Sequence, residues 1–386
     1  NITVSLWDLD GNKLHEISGI TSNATPLTGN YTPTFNGWIV IKVRNTNNTQ
    51  AGQKCWVNVT YTAPTSVDTR AIANIATSRA AIWTGNRGTT ASSDCGNWEE
   101  GKLPGNTFSL VIPAYSNPAP ILSTTTVTNF TIETGATLPL NAANLTVTGN
   151  VFGGGTVNGN GTVTLNGATT QNINGSVTIA NLEIANSNNV QLISSLSITS
   201  NVTFTNGKII LGTNNVSFPS GATITGANAN RYFVTDNTPS SGGSIVRSVG
   251  NVATDFPIGN SRYTPVTLTN TGNAATFSVR SFESVLQGGI SGSPMSTTGL
   301  LNKSWLITPS FTPGINVNAT FSWDVNDEGN TFNRTNAAVG RNPIDASNTW
   351  FRVSPNGAAT GTNPYSFTAT NITSFSVFSL FSATKV

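Results

Sequence analysis

Hydrophobic residues recur along this chain in short alternating runs, and the character of these runs changes twice. In residues 1–63, apolar and polar positions alternate from Ile2 onward, and longer runs occupy 38–43 and 55–59. Gly11 and its neighbours at 10–12 are typical of a hairpin turn. This pattern predicts a small N-terminal β-sandwich of the immunoglobulin-like kind over residues 1–63. The weaker contrast that follows predicts a linker over 64–80.

The middle of the chain carries much shorter runs. Apolar residues come in pairs two positions apart, separated by Gly or Asn; they include Phe130 and Ile132, Leu145 and Val147, Val163 and Leu165, Leu182 and Ile184, and Val202 and Phe204. Segments 144–151 and 195–202 also match at an offset of 51, which indicates an internal repeat. Such short strands must stack on copies of themselves to bury enough surface. We therefore predict a parallel β-solenoid (β-helix) with a capping segment over 81–225, the alternative being a sandwich of short strands.

Longer alternating strands return after residue 226. Seven runs are spaced as in a sandwich, at 244–247, 265–268, 275–280, 303–307, 319–323, 350–353 and 374–380. They predict a C-terminal β-sandwich over 226–386. The whole chain is thus predicted to be all-β, in the order β-sandwich, parallel β-solenoid, β-sandwich.

Several motifs of the last three hundred residues occur together in a known family. They are Ile82-Trp83-Thr84-Gly85, Cys95-Gly96-Asn97-Trp98, Leu103-Pro104-Gly105, Phe256-Pro257-Ile258-Gly259, Trp305-Leu306-Ile307 and Phe332-Asn333-Arg334. With these motifs, residues 82–382 resemble the passenger regions of secreted surface proteins of the Bacteroidota. The resemblance implies a large multidomain protein, exported by the type 9 route and often an adhesin or gliding-associated protein. The chain departs from that family in lacking its C-terminal sorting domain after Ala383. A start at Asn1, without Met or a signal peptide, is expected of a processed protein or of a piece of a longer one.

Composition and charge exclude several classes of function. Charged residues make up 9% of the chain, against roughly 25% in an average soluble protein. Eighteen basic and sixteen acidic residues give a net charge of +2 and form no basic run, so nucleic acid is not expected as a partner. No stretch approaches the roughly 18 consecutive apolar residues of a membrane-spanning helix. Thr, Asn and Gly also disfavour long helices.

The predicted solenoid is nearly bare of catalytic side chains. Between Leu103 and Asn230 only Glu133, Glu183 and Lys208 are charged, and that stretch contains no His, Cys or Asp. Aligning 129–132 with 181–184 places both glutamates on the outer surface, two coils and roughly 10 Å apart, at the limit for paired carboxyl groups in glycoside hydrolysis. Solvated surface carboxylates are the alternative, and we expect no catalytic residues.

Cysteine and histidine are too few for a zinc site. Cys55, Cys95 and His15 are the only residues of these two types, whereas a structural zinc ion takes four ligands. Cys55 and Cys95 are a candidate disulfide, and two buried free thiols are the alternative. His15 has no nucleophile motif to serve and is expected on a hairpin.

Two acidic turns are candidates for structural calcium. Asp8, Asp10 and Asn12 alternate around a glycine turn, and Asp324 and Asp327 lie in a similar run. Oxygen ligands from Asp and Asn in such turns suit a hard cation. In the first turn Glu16 comes too early to be the bidentate acid of a complete calcium loop, so an ordinary hairpin turn is the alternative there. No other cofactor is expected.

Aromatic and threonine-rich positions each have two interpretations. Tryptophan stacks on sugars, but strand patterns favour a core position for Trp38, Trp56, Trp305, Trp323 and Trp350. Capping of the first coil accounts for Trp83 and Trp98. Regular threonine arrays can bind ice, and threonine faces such as 124–126 suggest this use. Asn and Gly interrupt these faces, however, so strand propensity and hydration are the favoured explanation.

The sequence predicts a non-enzymatic structural or adhesive protein outside the cell, at the bacterial surface. Its solenoid would form a rigid stalk that displays the sandwiches toward cell-surface or matrix components, glycans among them. One alternative is a homopolymeric filament or sheath subunit with head-to-tail contacts between residues 1–63 and the C-terminal sandwich of the next copy. Another is a carbohydrate-binding or polysaccharide-degrading β-helix module.

Overall fold

A computed structural model describes residues 2–7, 13–19, 31–32, 40–45, 80–114, 118–345 and 347–385 of the chain. These residues fall into two compact units, Asn1–Thr60 and Tyr61–Val386. Of the predicted linker over 64–80, only Ala80 is described, and it is the first residue of a strand. The run at 55–59 and the turn at 8–12 lie outside the described residues.

The described part of the first unit is a three-stranded antiparallel sheet. Its strands are β1 (Ile2–Trp7), β2 (Lys13–Gly19) and β3 (Val40–Asn45), in the order β2-β1-β3. His15 lies on β2, opposite Leu6 of β1, and its ring stacks on Tyr31 with centroids 5.6 Å apart. The hairpin position predicted for His15 is confirmed.

The second unit begins with a parallel β-solenoid of about six turns, which confirms the predicted fold class. Its strands are β4 (Ala80–Ile82), β5 (Ser109–Ile112), β6 (Thr125–Val127), β7 (Phe130–Ile132), β8 (Thr137–Pro139), β9 (Leu145–Val147), β10 (Val151–Gly153), β11 (Thr156–Asn158), β12 (Val163–Leu165), β13 (Gln171–Asn174), β14 (Thr178–Ala185), β15 (Val190–Leu192), β16 (Leu196–Asn206), β17 (Ile209–Gly212), β18 (Val216–Phe218), β19 (Thr223–Thr225) and β20 (Phe233–Thr235). Two 3-10 turns, Cys95–Asn97 and Glu99–Gly101, lie in the segment between β4 and β5.

Each complete coil contributes three strand segments, one to each of three faces. Strands β7, β10, β13, β15 and β17 stack in parallel on the first face, and they begin every 19 to 21 residues. The other two faces are built by segments such as β8 and β9, which in two later coils merge into the long strands β14 and β16.

Alternation within these strands explains the stacking. In β9 and β12 the outer two residues are buried and the middle threonine points outward. Burying a Val, Leu or Ile side chain contributes about 1.5–3 kcal/mol, and every coil adds several such residues to one continuous core. Glycine permits the tight corners: Gly153 and Gly175 stack at one corner with φ of 104° and 118°, where a Cβ would collide with the backbone of the preceding coil.

The repeat at an offset of 51 residues does not describe the stacking. Leu145 lies on β9 and pairs with Val163, whereas Leu196 begins β16 and pairs with Val216. The two segments therefore occupy different faces of the solenoid. The shared unit is a short strand with its corner, which occurs several times per coil, while the stacking period is one coil.

A β-sandwich follows the solenoid. Its strands are β21 (Ile245–Val249), β22 (Thr254–Phe256), β23 (Ile258–Gly259), β24 (Val266–Asn270), β25 (Ala275–Glu283), β26 (Lys303–Pro309), β27 (Val317–Trp323), β28 (Ala337–Asn342), β29 (Phe351–Arg352), β30 (Tyr365–Ile372) and β31 (Val377–Ser382), with 3-10 turns at Val325–Asp327 and Arg334–Asn336. One layer is the sheet β22-β24-β27-β30. The other is the antiparallel series β21-β25-β26-β31-β28-β29, and Trp305 and Phe321 meet between the layers at 5.1 Å.

The solenoid and this sandwich share a sheet. β21 pairs in parallel with β18 of the solenoid and antiparallel with β25 of the sandwich. On the first face, parallel stacking continues through β20 to β23. The sheet is thus unbroken at the predicted boundary between residues 225 and 226, and coil stacking continues to Gly259.

Candidate functional site

The three charged side chains between Leu103 and Asn230 are each held by the scaffold itself. Glu133 accepts a hydrogen bond from the backbone of Ala114 at 3.0 Å. Glu183 accepts hydrogen bonds from the hydroxyls of Thr164 at 2.9 Å and Thr205 at 2.6 Å. Thr164 lies on the preceding coil, in β12, and Thr205 on the following coil, in β16. Lys208 donates to the Tyr232 hydroxyl at 3.0 Å.

Glu133 and Glu183 do not form a pair. Glu133 follows β7, whose partner on the next coil is β10, whereas Glu183 lies within β14 and pairs with Thr164 of β12. The expected equivalence of 129–132 with 181–184 was wrong, because the two segments belong to different faces. The glutamates are two coils apart as predicted, but on different sides of the solenoid, so they offer no common site for an acid and a base.

Threonine forms a column on the outside of one face. Stacked residues along it are Thr126, Thr146, Thr164, Glu183, Thr203 and Thr225. The hydroxyls of Thr203 and Thr225 lie 3.2 Å apart, and Asn201 donates to Thr203 at 2.7 Å. The column is more regular than the sequence suggested, but Glu183 interrupts it and several of its hydroxyls bond to neighbouring coils.

The tryptophans at the start of the solenoid belong to its cap. Trp83 is fully buried and Trp98 nearly so, and their rings meet edge to face at 4.9 Å. Their indole N–H groups donate to the carbonyls of Pro118 and Ser92, both at 2.9 Å. Trp305 and Trp323 are fully buried, which confirms their predicted core position, whereas Trp350 is only partly buried. Trp38 and Trp56 lie outside the described residues.

Cys95 lies in the same cap, buried in the first 3-10 turn. It is disulfide-bonded. Cys55, the other cysteine of the sequence, lies outside the described residues.

Asp324 and Asp327 face cations supplied by the protein. Asp324 caps the 3-10 turn Val325–Asp327 by accepting from the backbone of Asn326 at 2.9 Å, and Arg262 lies 3.9 Å away. Asp327 lies 3.0 Å from Arg262 and 3.7 Å from Lys303. Across the described ranges, no group of three or more His, Cys, Asp or Glu could hold a metal ion. The other calcium candidates, Asp8, Asp10 and Asn12, lie outside those ranges.

These carboxylates belong to a charged cluster where the last coil meets the sandwich. Lys303 is completely buried on β26, between Asp327 and Glu283, which lies 3.4 Å away. Burial opposes ionisation of Glu283, but a hydrogen bond from Ser261 and the charge of Lys303 outweigh it and hold the pKa of Glu283 below its ordinary value. The cluster thus links four segments: the turn after β23, β25, β26 and the 3-10 turn.

Neutral polar residues reinforce this junction. Thr235 of β20 donates to the carbonyl of Ser281 on β25 at 2.7 Å. Asn260 donates to the carbonyl of Thr235 at 2.7 Å and accepts from the Ser281 hydroxyl at 3.2 Å. All three side chains are buried, so the last coil is fixed to the sandwich by a fully enclosed network.

A cleft of about 400 Å³ opens beside the charged cluster. Its walls include Arg262, Tyr263, Asp324, Asn326, Asn363 and Pro364. A second depression, of about 240 Å³, adjoins it through Ser261 and is lined in part by Asp236 and Asn237. No pattern in the sequence indicates this grouping, because its members come from separate loops spread between residues 229 and 364.

Electrostatics and packing fix the side chains of the cleft. The backbone hydrogen bond from Asn326 lowers the pKa of Asp324, and its side chain, Asn363 and Arg262 add to this effect, which burial only partly opposes. Burial, together with the charge of Asp255, raises the pKa of Tyr263 to about 12, so its hydroxyl stays neutral. The Tyr263 ring packs against buried Tyr232 at 5.4 Å.

Comparisons with protein-family models, curated proteins and solved structures found no match for this chain. Within the described ranges, no helix has the length and apolar character needed to cross a membrane.

Proposed function

We propose that this chain is a non-enzymatic, extracellular structural and adhesive protein of a bacterial cell surface, in which the β-solenoid is a rigid stalk for β-sandwich modules. The single observation that carries the proposal is the state of the charged groups between Leu103 and Asn230. Glu133, Glu183 and Lys208 lie apart and are hydrogen-bonded to the scaffold. Glycoside hydrolysis requires two carboxyl groups converging on one substrate.

Two further observations support the extracellular setting and the stalk. The disulfide bond of Cys95 suits an oxidising compartment. The stacked sheet also continues from the solenoid into the C-terminal sandwich, so a load on one is passed to the other through backbone hydrogen bonds. The resemblance to Bacteroidota surface proteins exported by the type 9 route is in line with the extracellular setting and with the stalk.

Catalysis is tested by incubating the full chain with neutral and acidic polysaccharides and measuring new reducing ends and unsaturated products. We expect no turnover by the wild-type chain or by the Glu133→Gln and Glu183→Gln variants. Turnover that the wild type shows and Glu183→Gln lacks would refute the non-enzymatic role.

Location is tested on intact cells of the native bacterium. An antibody against the C-terminal sandwich should label their surface, and external protease should remove the label. Labelling that appears only after the cells are opened would contradict a surface role.

A further inference from the structure

We infer that the cleft beside Arg262 binds a neutral sugar unit, and that the adjoining depression across Ser261 accepts a second unit of the same oligosaccharide. This inference rests on the proposed adhesive function and gives it a ligand class. At about 400 Å³, the cleft lies within the range of about 300–1,000 Å³ that is usual for small-molecule sites.

The polar groups of the cleft suit a ligand whose hydroxyls both donate and accept hydrogen bonds. Asn326, Asn363 and Arg262 supply amide and guanidinium donors around the carboxylate of Asp324. Asn326 donates to Asp324 at 2.6 Å and Asn363 at 3.2 Å, so these planar groups are oriented before any ligand arrives. Pre-orientation reduces the entropic cost of binding.

The apolar part of the cleft suits the carbon face of a sugar ring. Tyr263 and Pro364 lie in its walls, and Tyr232 supports the Tyr263 ring from behind. A tyrosine offers an apolar ring together with a polar hydroxyl. Because the pKa of Tyr263 is raised to about 12, this hydroxyl is a neutral donor and acceptor at neutral pH.

The charges of the site favour a neutral ligand over an acidic one. Arg262 faces two carboxylates, Asp324 at 3.9 Å and Asp327 at 3.0 Å, so its charge is already balanced within the protein. The second oxygen of Asp327 is buried and has no hydrogen-bond partner within the described residues, which leaves further acceptor capacity beside the guanidinium. Asp236 adds another carboxylate in the second depression, so a uronic acid would be repelled from both.

Isothermal titration of the full chain tests the inference. The probes are maltose, cellobiose, lactose and N,N′-diacetylchitobiose, together with their monosaccharides and, as the acidic comparator, digalacturonic acid. We expect saturable binding of at least one neutral disaccharide, tighter than its monosaccharide, and no binding of digalacturonic acid.

Variants assign that binding to the cleft. Asp324→Asn keeps a residue able to cap the 3-10 turn, and Asn326→Ala removes an exposed amide; each should weaken binding about tenfold or more. Asn330→Ala, exposed on the same loop but outside the walls of the cleft, should leave affinity unchanged. Circular dichroism establishes that each variant is folded.

The inference is wrong if no neutral disaccharide binds, if digalacturonic acid binds more tightly, or if both cleft variants bind as well as Asn330→Ala. A folded chain that binds no sugar and turns over no polysaccharide would remove the ligand class while leaving the stalk proposal intact.

Discussion

Two of the three buried charged side chains among the described residues, Lys303 and Asp327, lie together at the junction between the last coil and the sandwich, and the third is Arg280. Lys303 is fully enclosed there with Asp327, and Glu283 and Arg262 extend the cluster toward the surface. The sequence singled out Asp327 as a calcium candidate because its neighbours are acidic. The partners that it faces, Arg262 and Lys303, lie 65 and 24 positions earlier, so no local pattern indicated them.

Removing the buried lysine should destabilise the second unit. Lys303→Met leaves Glu283 without a cation at 3.4 Å and Asp327 with Arg262 alone, and breaking a buried pair costs about 3–5 kcal/mol. Lys385→Met, at an exposed lysine of the same unit, should change the free energy of unfolding by about 0.5 kcal/mol or less. Denaturant unfolding measures both free energies. A loss for Lys303→Met as small as that for Lys385→Met would show that the buried cluster contributes no stability.

Stability should depend on pH only toward the extremes. The lowered pKa values of Glu283 and Asp324 mean that their stabilisation is present above ordinary values of 4.5 and 3.8 and is lost as pH falls below them. The raised pKa of Tyr263 means that its contribution is full below pH 10.0 and is lost as pH rises toward about 12. Melting temperature against pH should therefore fall at both ends.

Tyr263→Phe isolates the alkaline limb of that profile. Phenylalanine cannot ionise, so the melting temperature of this variant should fall less than that of the wild type between pH 10 and about 12. Parallel alkaline limbs for the two proteins would show that Tyr263 is not the group responsible.

The strands of the solenoid could be predicted because two buried residues flank one outward residue in each. Pairs such as Val163 and Leu165 mark β12 directly in the sequence. What could not be predicted is the face that each strand joins, since β7 and the second half of β14 carry the same pattern on different faces. That ambiguity produced the wrong pairing of Glu133 with Glu183.

Sandwich strands were missed where alternation is weak or absent. β28 is buried at nearly every position, so it shows no clear two-residue period. β30 alternates over 367–370, but Phe367 is the only large apolar residue in that stretch, so its signal in the sequence is weak. The cleft was missed for a related reason. Its walls come from turns at 261–263, 324–326 and 363–364, whose proximity depends on the tertiary fold.

A matched pair of substitutions on β9 tests the solenoid interior. Leu145→Ala removes a fully buried side chain and should cost about 2–5 kcal/mol. Thr146→Ala, one residue along the same strand but pointing outward, should cost about 0.5 kcal/mol or less. Denaturant unfolding compares them, and a cost for Thr146→Ala as large as that for Leu145→Ala would reverse the assigned orientation of the strand.

Over the second unit as a whole, coil stacking and sandwich pairing form a single hydrogen-bonded structure. The nine-stranded face of the solenoid has eight intervals of about 4.8 Å, or about 38 Å of stacked backbone. Its outward positions are mostly uncharged, so the forces that hold coil to coil are apolar burial and backbone hydrogen bonding, which salt does not screen.

Hydrogen–deuterium exchange of the full chain, in low salt and in molar sodium chloride, tests the rigid stalk most directly. Peptides from residues 130–218 should contain the slowest-exchanging amides of the solenoid, with similar protection from coil to coil and no loss of protection in high salt. Rapid exchange across these coils, or protection that collapses when salt is added, would contradict a rigid stalk held together by stacked, uncharged coils.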